Sequence, residues 1–401
     1  MIRVGRAIGG LGVVVLLSWP AMPAAQGPAP ARGAMTFTKD VAPILNRNCV
    51  SCHRPGEIAP MSLTTYEAAR PWARAIRKAV ADRVMPPWGA DPQYGEFIND
   101  PSLSAADVAT IVAWADGGAV EGDRKDLPPA PVFAEGWKIG TPDLVLKMTD
   151  PAPVPASGLR IIQDYPIDSH TFSEDTFVER MEVVPSNRLV THHAIVNVKS
   201  ASGTTRIGGY QPGGALTAYP SGIVRMIPKG TTIGLNMHYN PKGTPQADQT
   251  TIAMVFAKGP VAQVALTAMA GTRDFSIPPG EANYEVKSNS YVFKEDSHVI
   301  ALLPRMNERG KDYKYTLTYP DGRSVVLLSV PKFNPDWQPS YVFKTAIAAP
   351  KGSRIDTVAH YDNSANNKSN PDPAARIGFG PEIMNGYFDY TVDGFKVKST
   401  N

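Results

Sequence analysis

Proline and glycine interrupt this chain so often that no long helix can run through most of it. Its 401 residues include 38 prolines and 34 glycines, and a proline inside a helix removes one hydrogen bond and clashes with the turn before it. Between the breaks lie short runs rich in Val, Thr and Tyr, residue types that suit a pleated, half-buried surface. From Pro142 the alternating runs are Asp143 to Lys147, Thr176 to Val184, Ala194 to Val198 and Thr251 to Phe256. Tyr313 to Tyr319 and Ser324 to Val330 follow, joined by the hairpin signal Pro320-Asp321-Gly322. This pattern predicts β-sandwiches. The length predicts more than one unit, each with its own core.

The first part of the chain reads differently. Thr38 to Leu45 has a short helical pattern, and Pro71 opens a second amphipathic stretch from Trp72 to Val84, at a first-turn position where proline is tolerated. A third helix is predicted from Ser104, which forms an S-x-x-D box with Asp107. It buries Val108, Ile111, Val112 and Ala115, and stops at Gly117-Gly118. Among these helices stands Cys49-Val50-Ser51-Cys52-His53, which holds the only two cysteines of the chain. Cys-x-x-Cys-His is the attachment motif of haem c: two thiols add to the porphyrin vinyl groups and the adjacent His becomes the proximal iron ligand. A redox dithiol would not need the His, and zinc would want a second ligand pair nearby. The motif and its helices predict a small all-α class I cytochrome c domain over residues 35–122. For the sixth iron position Met85, in Met85-Pro86-Pro87-Trp88, is the first candidate, with Trp88 placed to pack on the macrocycle. Met61 is the second, and its alternative reading is a gap-filling core residue.

The N-terminus has the form of a secretory signal over residues 1–25: Arg3 and Arg6, an apolar run from Ala7 to Trp19, then Ala21, Ala24 and Ala25. The expectation is export to the periplasm, with retention by an uncleaved signal anchor as the alternative. No later stretch approaches the roughly 20 apolar residues of a membrane span. Two cysteines three apart leave no disulfide framework, so stability must come from packing. A net charge of +3 spread along the chain implies no nucleic-acid face.

Residues 123–141 are Pro-rich and lose periodicity, which predicts a semi-rigid linker. In the β-rich part the informative residues are histidines. His192 and His193 are adjacent at the start of an apolar strand, where neighbours point to opposite faces unless the backbone is irregular. With His238, in Leu235-Asn236-Met237-His238-Tyr239, they make three imidazoles, a set that suits Cu or Zn. On spacing alone, unrelated surface or core histidines are an equal alternative.

The His192-His193 pair, the segment around His238 and the stretch Pro304 to Lys311 before the hairpin resemble the copper type II, ascorbate-dependent monooxygenases. That family includes the peptidylglycine and dopamine hydroxylases, and has bacterial forms with an N-terminal cytochrome c domain. The resemblance covers roughly Gly136 to Val397 and implies two all-β jelly-roll sandwiches, here 142–265 and 266–401, each bringing one copper. It implies an electron-transfer copper on His192, His193 and His238. The second, oxygen-binding copper of the family uses two histidines and a methionine. At the matching positions this chain has Arg305, Asn307 and Ile383, with Met384 one residue late, so the second site reads as degenerate. Arg305 cannot ligate because its guanidinium stays protonated, and a neutral Asn carbonyl is a weak ligand for copper. A rebuilt site would have to draw on His298, Met306 or His360. The bland reading is that His298 opens a strand and that His360 hydrogen-bonds in a core turn.

Three functions follow. The first is an exported haem c and copper redox protein, with one copper expected and two conceivable, that exchanges electrons with a donor or acceptor protein or a small reductant. The second is an active monooxygenase that hydroxylates a small organic substrate. The third is a ligand-binding module in which Arg305 and Arg309 clamp a carboxylate or phosphate.

Overall fold

The computed structural model describes residues 35–133, 136–200, 203–212, 217–218, 222–380 and 386–394. The expected signal at 1–25 lies outside these residues. Among the described residues the alternating runs form twenty-two strands in two successive sets. The first set is β1 (Leu144–Lys147), β2 (Ala152–Val154), β3 (Ile161–Tyr165), β4 (Thr176–Val184), β5 (Thr191–Ser200), β6 (Gly203–Tyr210), β7 (Thr217–Ala218), β8 (Ile223–Ile227), β9 (Thr232–Tyr239), β10 (Gln246–Asp248) and β11 (Thr251–Phe256). The second is β12 (Gln263–Ala270), β13 (Ser276–Ile277), β14 (Tyr284–Lys287), β15 (Tyr291–Val292), β16 (Ser297–Leu303), β17 (Gly310–Thr318), β18 (Ser324–Val330), β19 (Tyr341–Ala349), β20 (Arg354–Tyr361), β21 (Ile377–Gly378) and β22 (Gly386–Val392).

One nine-stranded sheet runs through both sets in the order β1-β11-β4-β8-β12-β22-β16-β19, with β7 paired to β4. Its first part packs on the four-stranded sheet β3-β9-β5-β6, burying Met181, Ile252 and Met254 against Val196, Leu235 and Met237. Its second part packs on the five-stranded sheet β14-β20-β17-β18 with β15, burying Val299, Leu302 and Phe388 against Tyr313, Tyr315 and Tyr361. The two sandwiches meet where β8 pairs in parallel with β12, Gln263 opposite Ile223 and Val264 opposite Val224. At the hairpin between β17 and β18, Gly322 takes the left-handed φ of 86° that its turn requires.

Helices are few and short: α1 (Ala42–Asn48), α2 (Tyr66–Ala69), α3 (Ala73–Ala81) and α4 (Ala105–Asp116). No helix of the described residues is long and apolar enough to cross a membrane. The S-x-x-D box is formed, with the Ser104 hydroxyl accepting from the Asp107 backbone N–H at 3.0 Å. The most buried residues of α4 are Ile111 and Trp114, while Val108, Val112 and Ala115 are half-buried beside them.

The expected architecture, a small all-α class I cytochrome c domain followed by two separate jelly-roll sandwiches, is overturned. The described residues, from Met35 onward, form one compact unit that is largely β-sandwich. The reason lies in the prolines after α3. Pro86, Pro87 and Pro92 cannot continue a helix, so residues 84–99 run as an irregular segment of bends and turns that bonds to the second sandwich. The Asp91 N–H donates to the Ser329 carbonyl at 2.8 Å and the Ile98 N–H to the Val342 carbonyl at 2.9 Å, while Phe97 bridges to Phe343. The Trp88 ring stands 4.6 Å from Tyr341 and 5.8 Å from Phe97, so it packs into this β core. On the other side, Arg188 of the first sandwich forms an ion pair with Glu57. The helical segment is thus held to both sandwiches, at Glu57 and along 84–99.

Candidate metal centre

The three histidines of the β-rich part come together. On β5, Ala194, Val196 and Val198 point into the first core; on β9, Leu235, Met237 and Tyr239 do. By strand alternation, His193 and His238 therefore stand on the outer face of the same sheet. They are directly opposite each other in the β5–β9 register, and their rings stack with centroids 3.7 Å apart. A regular strand would send His192 to the other face. Instead the register slips between Thr191 and His193, a bulge that brings His192 Nδ1 within 2.7 Å of His193 Nδ1.

All three rings are at least nine-tenths buried. Burial holds the His192 and His238 imidazoles down at about 3, with the Arg160 guanidinium adding to the shift. His193 is pushed well below its usual range by burial and then by its two histidine neighbours. Neutral imidazoles with free lone pairs are what a transition metal requires. His238 donates from Nε2 to the Asn236 side-chain oxygen at 2.9 Å, and Asn236 in turn donates to Asp164 at 2.8 Å. This chain sets the tautomer and leaves His238 Nδ1 bare, buried and without a hydrogen-bond partner. His192 Nε2 is likewise buried and unpartnered. No three His, Cys, Asp or Glu side chains among the described residues are already arranged as a preformed ion site. The stacked rings must turn to converge. The two orphaned ring nitrogens fit an ion, because a buried nitrogen with no partner is costly unless something takes its lone pair or proton.

The Cys-x-x-Cys-His segment follows α1. His53 Nδ1 lies 3.3 Å from the Met61 carbonyl, so Nδ1 carries the proton and Nε2 keeps its lone pair. Burial pushes the Cys49 thiol up to about 12, and the Cys52 thiol also rises. Cys49, Cys52, His53 and Met85 all line one cavity of about 480 Å³, within the roughly 300–1,000 Å³ usual for cofactor and small-molecule pockets. Met61 instead packs its side chain against the helical core. These residues fit a haem: two thiols, one imidazole with a free nitrogen, and a thioether around a single space. His192 and His193 line the same cavity, together with Asp336 and Gln338 of the loop between β18 and β19.

The positions matching the second copper of the resemblance do not fit a metal. Arg305 is buried and donates from Nη1 to the carbonyls of Pro304 and Gln338, at 2.9 and 2.7 Å. Asn307 is buried with a left-handed φ of 57°, and its side-chain oxygen accepts from Gln338 at 3.3 Å. Ile383 and Met384 lie outside the described residues. The substitutes are engaged elsewhere. His298 bonds Asp393 at 3.0 Å and Met306 is fully buried in the second core. His360 lies within β20, in a strand and not a turn, and bonds Asp312 at 2.7 Å. Nor do Arg305 and Arg309 form a clamp, since Arg309 is fully buried and donates to the Asn363 side-chain oxygen at 2.9 Å.

Sequence reasoning missed Arg160, Asp336 and Gln338. Arg160 donates to Asn240 at 2.8 Å and pairs with Glu308 at 2.6 Å, joining the two sandwiches beside the histidines. Nothing local marks it, because its partners are distant in the chain.

No protein-family model matches the chain, and no curated protein matches it. Among solved structures, it is similar to the glycosylasparaginase PNGase F of Flavobacterium meningosepticum at 12% identity, covering 62% of this chain and 95% of that one with a TM-score of 0.27. It is also similar to a structure of infectious bursal disease virus, Gx strain, at 10% identity, 63% and 72% coverage and a TM-score of 0.22. At these values neither likeness carries an argument.

Proposed function

We propose that this protein is an exported redox protein in which haem c, held by Cys49, Cys52, His53 and Met85, exchanges electrons with one copper ion held by His192, His193 and His238. The observation that carries this reading is that His192 and His193 of the second set line the same cavity as all four residues of the first. Bound there, haem and copper would each supply one-electron chemistry. The chain's own residues hold the two centres in place. The Met61 carbonyl orients His53 and Asn236 orients His238, while the stitched 84–99 segment keeps Met85 on the cavity wall. Arg305 and Asn307, tied into the Gln338 network, support a single copper and oppose an oxygen-activating pair.

The metal count tests this. Copper-reconstituted protein is expected to hold one haem iron and one copper per chain, with copper lost in His193→Ala. Met85→Ala is expected to abolish the low-spin, methionine-ligated haem spectrum, and Met61→Ala to keep it. Two coppers with oxygen uptake above background would replace this reading with a monooxygenase; no copper at all would end the redox reading of the histidines.

A further inference from the structure

We propose that Asp336 is a fourth ligand to the metal of the His192, His193 and His238 centre, so that the ion clasps the second sandwich to the first. This rests on the reading of those histidines as a metal site. His192 Nε2 is buried without a hydrogen-bond partner, and Asp336 Oδ1 stands 3.7 Å away across the cleft. That distance is too long for a hydrogen bond. It is close to the roughly 3.4 Å that separates two donors each about 2.1 Å from one tetrahedral ion.

The carboxylate is delivered by a pinned loop. The Asp336 N–H donates to the Asn334 side-chain oxygen at 3.0 Å, and the Trp337 N–H closes a turn onto the Asn334 carbonyl at 3.0 Å. Two residues on, the Gln338 carbonyl accepts from the buried Arg305 at 2.7 Å. Asp336 thus faces the histidines from an anchored backbone. Charge argues the same way. Arg160 and Arg305 both make the surroundings of His193 and His238 positive, and Arg160 Nη2 is itself 3.6 Å from Asp336. A divalent ion bound only by neutral imidazoles would add to that positive field, whereas a carboxylate ligand offsets it.

Haem-containing full-length protein, freed of copper, would be titrated with Cu(II) against a chelator while the copper paramagnetic resonance spectrum is recorded. The Asp336 side chain is 67% exposed, so its replacement should not disturb folding. Asp336→Ala is expected to weaken Cu(II) binding about tenfold and to change the copper hyperfine coupling as an oxygen donor is lost. Asp336→Asn is expected to behave like Asp336→Ala. Wild-type affinity and spectrum in Asp336→Ala would overturn the proposal, as would wild-type hyperfine coupling in Asp336→Asn, which would assign hydrogen bonding instead. Copper binding that His238→Ala abolishes but Asp336 variants leave intact would refute this ligand while keeping the metal reading. A wild type that binds no copper would refute both.

Discussion

At His192 one extra residue in β5 changes what the strand can do. Without the bulge, His192 would join Ala194 and Val196 in the apolar core, where an imidazole has no partner; with it, three rings share one face. Their burial also sets a pH dependence. In the metal-free protein the folded imidazoles stay neutral well below 6.5, while those of the unfolded chain protonate around that value. As pH falls, the unfolded state takes up protons first, so stability present above pH 6.5 drains away towards pH 3. At pH 5 the loss is about 2 kcal/mol per imidazole. Thermal unfolding in chelator should show the melting temperature falling between pH 7 and 5, with a shallower slope in His238→Gln. A flat wild-type profile over that window would contradict the burial argument.

Residues 84–99 act at the scale of an element. They leave α3 as a helix cannot, through Pro86 and Pro87, and then behave as a strip of the second sandwich. The Tyr341 hydroxyl donates to the Trp88 carbonyl at 2.6 Å, and the Trp88 ring fills the space between Tyr341 and Phe97. Trp88→Ala should therefore cost about 3 kcal/mol in denaturant unfolding. Because Met85 is only three residues away, it should also broaden the haem spectrum. A loss below about 1 kcal/mol would show that the indole is not part of that core.

At the scale of the whole molecule, the two sandwiches share a continuous sheet, and besides Arg160–Glu308 a more deeply buried ion pair links them. Arg225 on β8 meets Asp389 on β22 at 2.7 Å, both nearly inaccessible, with Thr267 on the intervening β12 donating to the same carboxylate at 2.6 Å. Arg225 also donates to the Ala265 carbonyl at 2.9 Å. Removing one partner leaves a buried charge, so Arg225→Met should destabilise by about 3–5 kcal/mol, whereas Arg225→Met combined with Asp389→Leu should recover most of it. Equilibrium unfolding of the single and double variants would measure this. Equal losses in both would mean the pair contributes through packing and not through its charges.

Much of the chain was legible locally. Strand positions followed from alternation, the start of α4 from the Ser104 cap, and the cofactor chemistry expected at Cys49, Cys52 and His53 from an uninterrupted motif. These depend on neighbours within a few residues, which the amino-acid order states directly. The His192 bulge could be anticipated only as a condition, since a register slip is decided by the partner strand. What no local pattern could state was which distant segments share a space. That decision belongs to tertiary packing: 84–99 joins the second sandwich, Arg160 meets Glu308, and Asp336 faces His192 although they are far apart in the chain. Sequence by itself pointed to Cys49, Cys52, His53 and Met85, and to His192, His193 and His238, as the candidate residues for haem and metal. The tertiary structure alone decided that His192 and His193 line the cavity on which Cys49, Cys52, His53 and Met85 open, because long-range sheet pairing and burial, not local propensity, bring them together.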